Sequence, residues 1–169
     1  DFVVHLAGIN RPMKVEEFYD GNSFFTKKLV DLLIKNKKFT PLIISSSIQA
    51  ALDNDYGKSK KMAEDFLFNS GLPVYVYRLA NVFGKWCRPN YNSAAATFCY
   101  NIAHDLPIEI RDRNYVVHYN YVTDIVEEFL RVIELKDHPG SKEINYVNPT
   151  YDCSLGKLAD LLNYFKNEI

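Results

Sequence analysis

Apolar residues along this chain fall into two alternating kinds of run. Short stretches rich in β-branched residues, without strict alternation, read as strands buried on both faces. They cover residues 2–6, 41–44, 74–77 and 143–147, with a shorter extended piece at 108–110. Between them lie stretches whose apolar positions recur three and four apart, as on one face of a helix. These predict helices over 22–35 (Phe25, Leu29, Leu32 and Leu33 on one face), 54–69, 94–104 and 122–135 (Ile125, Phe129, Val132 and Ile133 inward). Gly71-Leu72-Pro73 stops the second of these. Ser154 is placed to cap a last helix through residue 165. Strands alternating with helices predict an α/β fold on a parallel sheet. No repeat, linker or low-complexity tract interrupts the 169 residues, so a single domain is expected.

Composition removes several functions. The 20 basic and 21 acidic residues leave a net charge of −1, so no global field recruits nucleic acid or an anionic membrane. No apolar run approaches the ~20 residues of a membrane span. With no signal peptide, the reading is a cytoplasmic protein. Cys87, Cys99 and Cys153 are odd in number and far apart, and His5, His104, His118 and His138 form no paired motif. Neither a disulfide framework nor a metal site is expected. Asp1 stands directly before an apolar run, where a strand would already be under way. That predicts an excerpt of a longer protein.

The chemistry concentrates in Tyr56-Gly57-Lys58-Ser59-Lys60, preceded by Ser45-Ser46-Ser47 at the end of a strand. Tyr56 and Lys60 are four apart and share one face of a helix. A phenol with pKa near ~10 exchanges protons poorly at neutral pH, and a nearby ammonium favours its phenolate. The pair makes a proton donor and acceptor for an alcohol or ketone, and a serine hydroxyl at the strand's end can hold the same oxygen. Alone, Tyr and Lys at this spacing would also suit a solvated helix face. A strand ending in three serines, nine residues before the tyrosine, is the more specific signal.

Those residues resemble the extended short-chain dehydrogenase/reductases, the superfamily of the nucleotide-sugar epimerases, dehydratases and reductases. Val4-His5-Leu6-Ala7-Gly8 is similar to the family's fourth strand, Arg78-Leu79-Ala80-Asn81-Val82-Phe83-Gly84 to its R-x-x-N-x-x-G segment, and Tyr121-Val122-Thr123-Asp124 to its Y-V-x-D helix opening. Asn10-Arg11-Pro12, Ser45-Ser46-Ser47-Ile48-Gln49-Ala50 and the run from Phe83 through Trp86 to Ser93 resemble bacterial capsular-polysaccharide enzymes of the CapF type. The resemblance implies part of a Rossmann-like, doubly wound parallel sheet with a small substrate-binding subregion. Residues 1–80 would form the cofactor and catalytic half, and 81–169 mainly the substrate side. The implied catalytic residues are Ser47 (Ser46 as second choice), Tyr56 and Lys60. Cofactor contacts are implied at Leu6, Ala7, Gly8, Asn22, Tyr56 and Lys60. Substrate contacts are expected at Asn10, Arg11, Ser46, Asn81, Lys85, Arg88 and Asn92. Trp86 is read as packing rather than as a base-stacking platform.

The implied cofactor is NADPH, with NADH as the alternative. The implied partner is a nucleotide-activated sugar, and the full-length protein is expected to be a homodimer through residues 22–35. The implied reaction is reduction of the C4 keto group of a 4-keto-6-deoxy UDP-N-acetyl sugar, toward UDP-N-acetyl-L-fucosamine. Three departures limit the carry-over. The family's Gly-rich turn, which seats the pyrophosphate on a helix N-terminus, does not occur among the seven glycines, and no CapF-type cupin is read within these 169 residues. The arginine that many relatives carry before Y-V-x-D is missing from residues 116–120. Ser47 is followed by Ile48 and Gln49 rather than by acids, which disfavours dehydration. Reduction and 4-epimerisation share the same Ser, Tyr and Lys, and a non-catalytic module is a further alternative.

Overall fold

A computed structural model describes residues 1–168. The described chain divides into two compact units, residues 1–79 with 127–147, and residues 80–126 with the stretch from 148 onward.

The first unit is built on a parallel sheet of three strands, β1 (Val3–His5), β2 (Leu42–Ser47) and β3 (Val74–Leu79), in that order. Parallel neighbours need crossover helices, and the sequence supplies them. From β1 the chain passes through α1 (Glu16–Phe18), a widened π-type stretch (Tyr19–Phe24) and α2 (Phe25–Lys35). After β2 come a 3₁₀ turn (Ile48–Ala51) and α3 (Asp55–Phe68). The core is Leu42 and Ile44 of β2 and Val74 and Val76 of β3, closed by Val30 of α2 and Leu67 of α3. Asn145 adds one parallel bridge to Tyr77 on the open side of β3. The expected strand 143–147 is reduced to that single bridge.

In the second unit β4 (Asn81–Phe83) pairs parallel with β5 (Val116–Tyr121), which pairs antiparallel with β6 (Tyr151–Ser154). Helices α4 (Ala94–Ala103) and α6 (Leu155–Glu168) bury Phe98, Ile102 and Ala159 together. Residues 108–110, expected to be extended, join no sheet; Ile108 and Ile110 instead pack on that cluster. Ser154 caps α6 as expected, accepting from Lys157 N–H at 3.2 Å. Helix α5 (Val122–Ile133) carries the chain from the second unit back to the first, with Ile125, Phe129 and Val132 buried along one stripe. The architecture is the partial Rossmann-like α/β fold that the sequence predicts. The helix expected from Asn22 starts earlier, at Glu16, and Asn22 falls inside the π-type stretch. No described helix is long and apolar enough to cross a membrane.

Candidate active site

Ser47, Tyr56 and Lys60 meet in the first unit because β2 stops where α3 begins. Ser47 ends β2, and its hydroxyl accepts from Gln49 N–H at 3.2 Å, turning the chain into the 3₁₀ turn. Asn54 caps α3 by accepting from Gly57 N–H at 2.8 Å. Gly57 lies so close to the 3₁₀ turn that a Cβ there would stand 2.2 Å from the Gln49 carbonyl oxygen. Only a residue without a side chain lets α3 start against that backbone, and this approach sets the Tyr56 phenol near Ser47. The Phe18 ring packs against Tyr56 at 5.6 Å between centroids.

Lys60 follows one turn later and is buried, 7% exposed. Its ammonium lies 5.9 Å from the centre of the Tyr56 ring and donates to the Ser45 carbonyl at 3.3 Å. Burial pulls its pKa down to about 8, against the opposing charge of Glu64. The sequence predicts that Lys60 brings the Tyr56 pKa down. In the structure burial raises it, outweighing the downward pull of Ser47. At neutral pH the phenol therefore keeps its proton.

The expected cofactor stretch leaves the C-terminal end of β1. Leu6, Ala7 and Gly8 are exposed there, followed by exposed Asn10 and Arg11. Gly8 passes so near the site that a Cβ would lie 2.9 Å from Lys60 Nζ and 2.8 Å from Asn22 Oδ1. Backbone without side chains beside a buried ammonium is a fitting seat for the ribose and nicotinamide end of a dinucleotide. Asn22 plays a different part from the expected direct contact. Its amide donates to the Ile9 carbonyl at 2.9 Å and to Ser59 Oγ at 3.0 Å, and its oxygen accepts from Ile9 N–H at 2.8 Å. It braces the Gly8–Ile9 backbone against α3.

Ser46 also departs from the expectation. Successive strand residues face opposite sides, so with Ser47 at the site, Ser46 points into the interior and donates to Glu64 Oε1 at 2.6 Å. The same carboxylate receives Arg78 Nε at 2.9 Å and Nη2 at 2.7 Å. Glu64 is fully buried. This Ser46–Glu64–Arg78 network was missed in the sequence, although an arginine in a buried strand calls for a partner.

The remaining candidates belong to the second unit. Asn81 is exposed and donates to the His118 carbonyl at 3.2 Å on the neighbouring strand. Lys85 and Asn92 are exposed, and the Arg88 guanidinium lies 5.3 Å from the Tyr91 ring centre. Trp86, read as packing, is instead 95% exposed, with a backbone φ of 64° that is uncommon for a bulky residue. It borders a mostly apolar cavity of about 480 Å³ together with Phe83, Cys87, Pro89 and Tyr100. Arg113 donates to both carboxylate oxygens of Asp160, at 2.7 and 2.8 Å. Among the described residues no cluster of His, Cys, Asp and Glu could hold a metal.

No family model matches the chain. It is 47% identical over 172 residues to the UDP-2-acetamido-2,6-beta-L-arabino-hexul-4-ose reductase of Pseudomonas aeruginosa, an alignment covering 99% of this chain and 45% of that protein. The crystal structure of the capsular polysaccharide assembling protein CapF from Staphylococcus aureus superposes with a TM-score of 0.82 at 41% identity, over 99% of this chain and 45% of that one. UDP-glucuronic acid 4-epimerase from Bacillus cereus, in complex with NAD, gives a TM-score of 0.85 over 99% of this chain and 60% of that one. At 19% identity its likeness is one of fold. The chain thus spans under half the length of the first two relatives. The resemblance to the CapF-type branch of the extended short-chain dehydrogenase/reductases, read from the sequence, is borne out.

Proposed function

We propose that this chain carries the catalytic and substrate-side residues of a nicotinamide-dependent reductase acting on the C4 ketone of a 4-keto-6-deoxy UDP-N-acetyl sugar. The observation that carries the reading is the Ser47–Tyr56–Lys60 arrangement: a half-buried phenol near Ser47, with a buried ammonium one turn away. The 47% identity to a reductase of such a UDP-sugar supports the choice of substrate.

NADPH, or NADH in its place, would lie along Leu6, Ala7 and Gly8 and supply hydride to the sugar's C4. The chain's own residues do the rest. Ser47 holds the ketone oxygen beside Tyr56, and Tyr56 gives that oxygen its proton as negative charge develops there. Lys60 stabilises the phenolate left behind and offers an N–H donor toward Gly8. Asn81, Lys85, Arg88 and Asn92 would serve the sugar nucleotide, and Asn10 and Arg11 the region past β1. The product would be a precursor on the way to UDP-N-acetyl-L-fucosamine for capsular polysaccharide, made in the cytoplasm by a homodimer joined through residues 22–35.

The test is NADPH consumption with the 4-keto UDP-sugar, the product examined by NMR. Stoichiometric oxidation with a new C4–H bond is expected. Interconversion of C4 epimers without net oxidation would point to an epimerase. Absence of both, with the protein at its natural length, would leave a non-catalytic module.

A further inference from the structure

Ser59 stands on α3 between Tyr56 and Lys60 and is fully buried. Its hydroxyl donates to the Tyr56 carbonyl at 2.8 Å and accepts from the Asn22 amide at 3.0 Å. The next residue of the π-type stretch, Ser23, donates to the Ser59 carbonyl at 2.8 Å. Asn22 in turn grips Ile9 with both ends of its side chain. Its oxygen accepts from Ile9 N–H at 2.8 Å, and its amide donates to the Ile9 carbonyl at 2.9 Å. An unbroken path of hydrogen bonds therefore runs from the backbone just past Gly8 to the turn of α3 that carries Tyr56 and Lys60.

The chemistry of these groups gives the path one sense. A hydroxyl has one hydrogen and two lone pairs. Ser59 spends its hydrogen on the Tyr56 carbonyl, so toward Asn22 it can only accept. That fixes which end of the amide faces α3. Turned over, Asn22 would set its oxygen against an oxygen with no hydrogen left to give, and its NH2 group against Ile9 N–H. Asn22 and Ser59 are both buried, so water does not repair such a mismatch. Single widened helical turns of this kind are frequent at functional sites.

We propose that Ser59 is a positioning residue of the candidate active site, acting through Asn22 to hold the Gly8–Ile9 backbone where the nicotinamide end of the cofactor is to lie. This rests on the reading of that strip as the cofactor seat and of Tyr56 and Lys60 as catalytic. The strip has little tolerance: a Cβ on Gly8 would stand 2.8 Å from Asn22 Oδ1 and 2.9 Å from Lys60 Nζ. A displaced Asn22 is therefore felt at once beside the ammonium. The same serine ties the strip to the helix that bears the proton donor, so hydride source and proton donor share one frame.

The test compares the wild type, Ser59→Ala and Ser59→Cys in the protein at its natural length. Hydrogen–deuterium exchange is read on the peptide covering residues 6–12 against peptides from β2 and β3, and NADPH affinity is read by fluorescence. Ser59→Ala is expected to speed exchange in 6–12 about fivefold, the size of one lost hydrogen bond, with β2 and β3 unchanged. NADPH should bind about threefold more weakly or worse, and in turnover its KM should rise while the sugar's KM stays in place. Ser59→Cys, whose thiol is a weak donor and acceptor, should fall between the two and is read in the same way if Ser59→Ala does not fold. Unchanged exchange in 6–12, a rise equal to that in β2 and β3, or faster exchange with NADPH affinity unmoved would each overturn the proposal. A wild type that binds NADPH but reduces no sugar defeats the proposed function and leaves this test standing. A wild type that binds no NADPH overturns both.

Discussion

Around Tyr56 in the first unit most polar groups are already engaged: Asn22 with Ile9 and Ser59, Ser46 with Glu64, Lys60 with Ser45, Ser47 with Gln49. In the second unit the run from Lys85 to Asn92 holds Lys85, Arg88 and Asn92 in solvent, with an almost wholly exposed Trp86 on a left-handed backbone. The first region is preorganised, as proton transfer requires, since a donor displaced by an ångström loses much of its value. In the second, Lys85, Arg88, Asn92 and Trp86 are exposed, and the Arg88 guanidinium lies against the Tyr91 ring. On the proposed function, chemistry that needs fixed geometry and recognition that needs reach would be built from different physical materials.

The largest effect should come from the reacting proton. Tyr56→Phe is expected to lower turnover by about a hundredfold or more, with the far-UV circular dichroism spectrum unchanged. Retention of more than a small fraction of turnover would remove Tyr56 from the chemistry.

Disruption of the preorganised backbone should come next. Gly57→Ala forces a Cβ to 2.2 Å from the Gln49 carbonyl oxygen, which belongs to backbone and cannot swing aside. Urea unfolding should show a loss of about 1–3 kcal/mol, as for other overpacking changes. Arg78→Ala leaves Glu64 buried and unpaired, and should cost about 3–5 kcal/mol in the same measurement.

The legibility of these regions in the sequence follows the same division. Ser45-Ser46-Ser47 and Tyr56 to Lys60 were readable because a strand end and a helix periodicity fix their positions locally. Which serine faces the site also follows from strand alternation, once one of them is anchored. The Ser46–Glu64–Arg78 network was not readable as a unit, since it joins residues from three elements whose packing only the fold supplies. Its signal was Glu64 four residues after Lys60, with an arginine in an otherwise apolar strand. Strands β5 and β6 were missed for another reason. Residues 116–121 are half polar, and 151–154 include Asp152 and Ser154, so neither makes a hydrophobic run. Their pairing with each other and with β4 defines them.

A smaller effect should come from pH. His5 is buried against Thr26 Oγ1 at 2.9 Å, and burial, helped by Lys60, lowers its pKa below the ordinary 6.5. Between that lowered value and 6.5 the unfolded chain binds more protons than the folded one, so stability falls as pH drops through this window and is fully present above it. Replacing the group by His5→Gln should flatten this dependence, measured as urea midpoints at pH 5 and pH 8. A wild type equally stable at both pH values would contradict the assignment. The smallest structural effect belongs to the loop. Trp86→Ala should change stability by no more than about 0.5 kcal/mol, since its side chain is in solvent.

The division of labour itself is tested most directly by kcat and KM for the 4-keto UDP-sugar, determined side by side for the wild type, Tyr56→Phe and a Lys85→Ala/Arg88→Ala double variant. The account predicts a collapse of kcat with little change in KM for Tyr56→Phe, and a raised KM with kcat nearly intact for the double variant. A loop variant that loses kcat while Tyr56→Phe retains it would place the chemistry in the second unit and contradict the account.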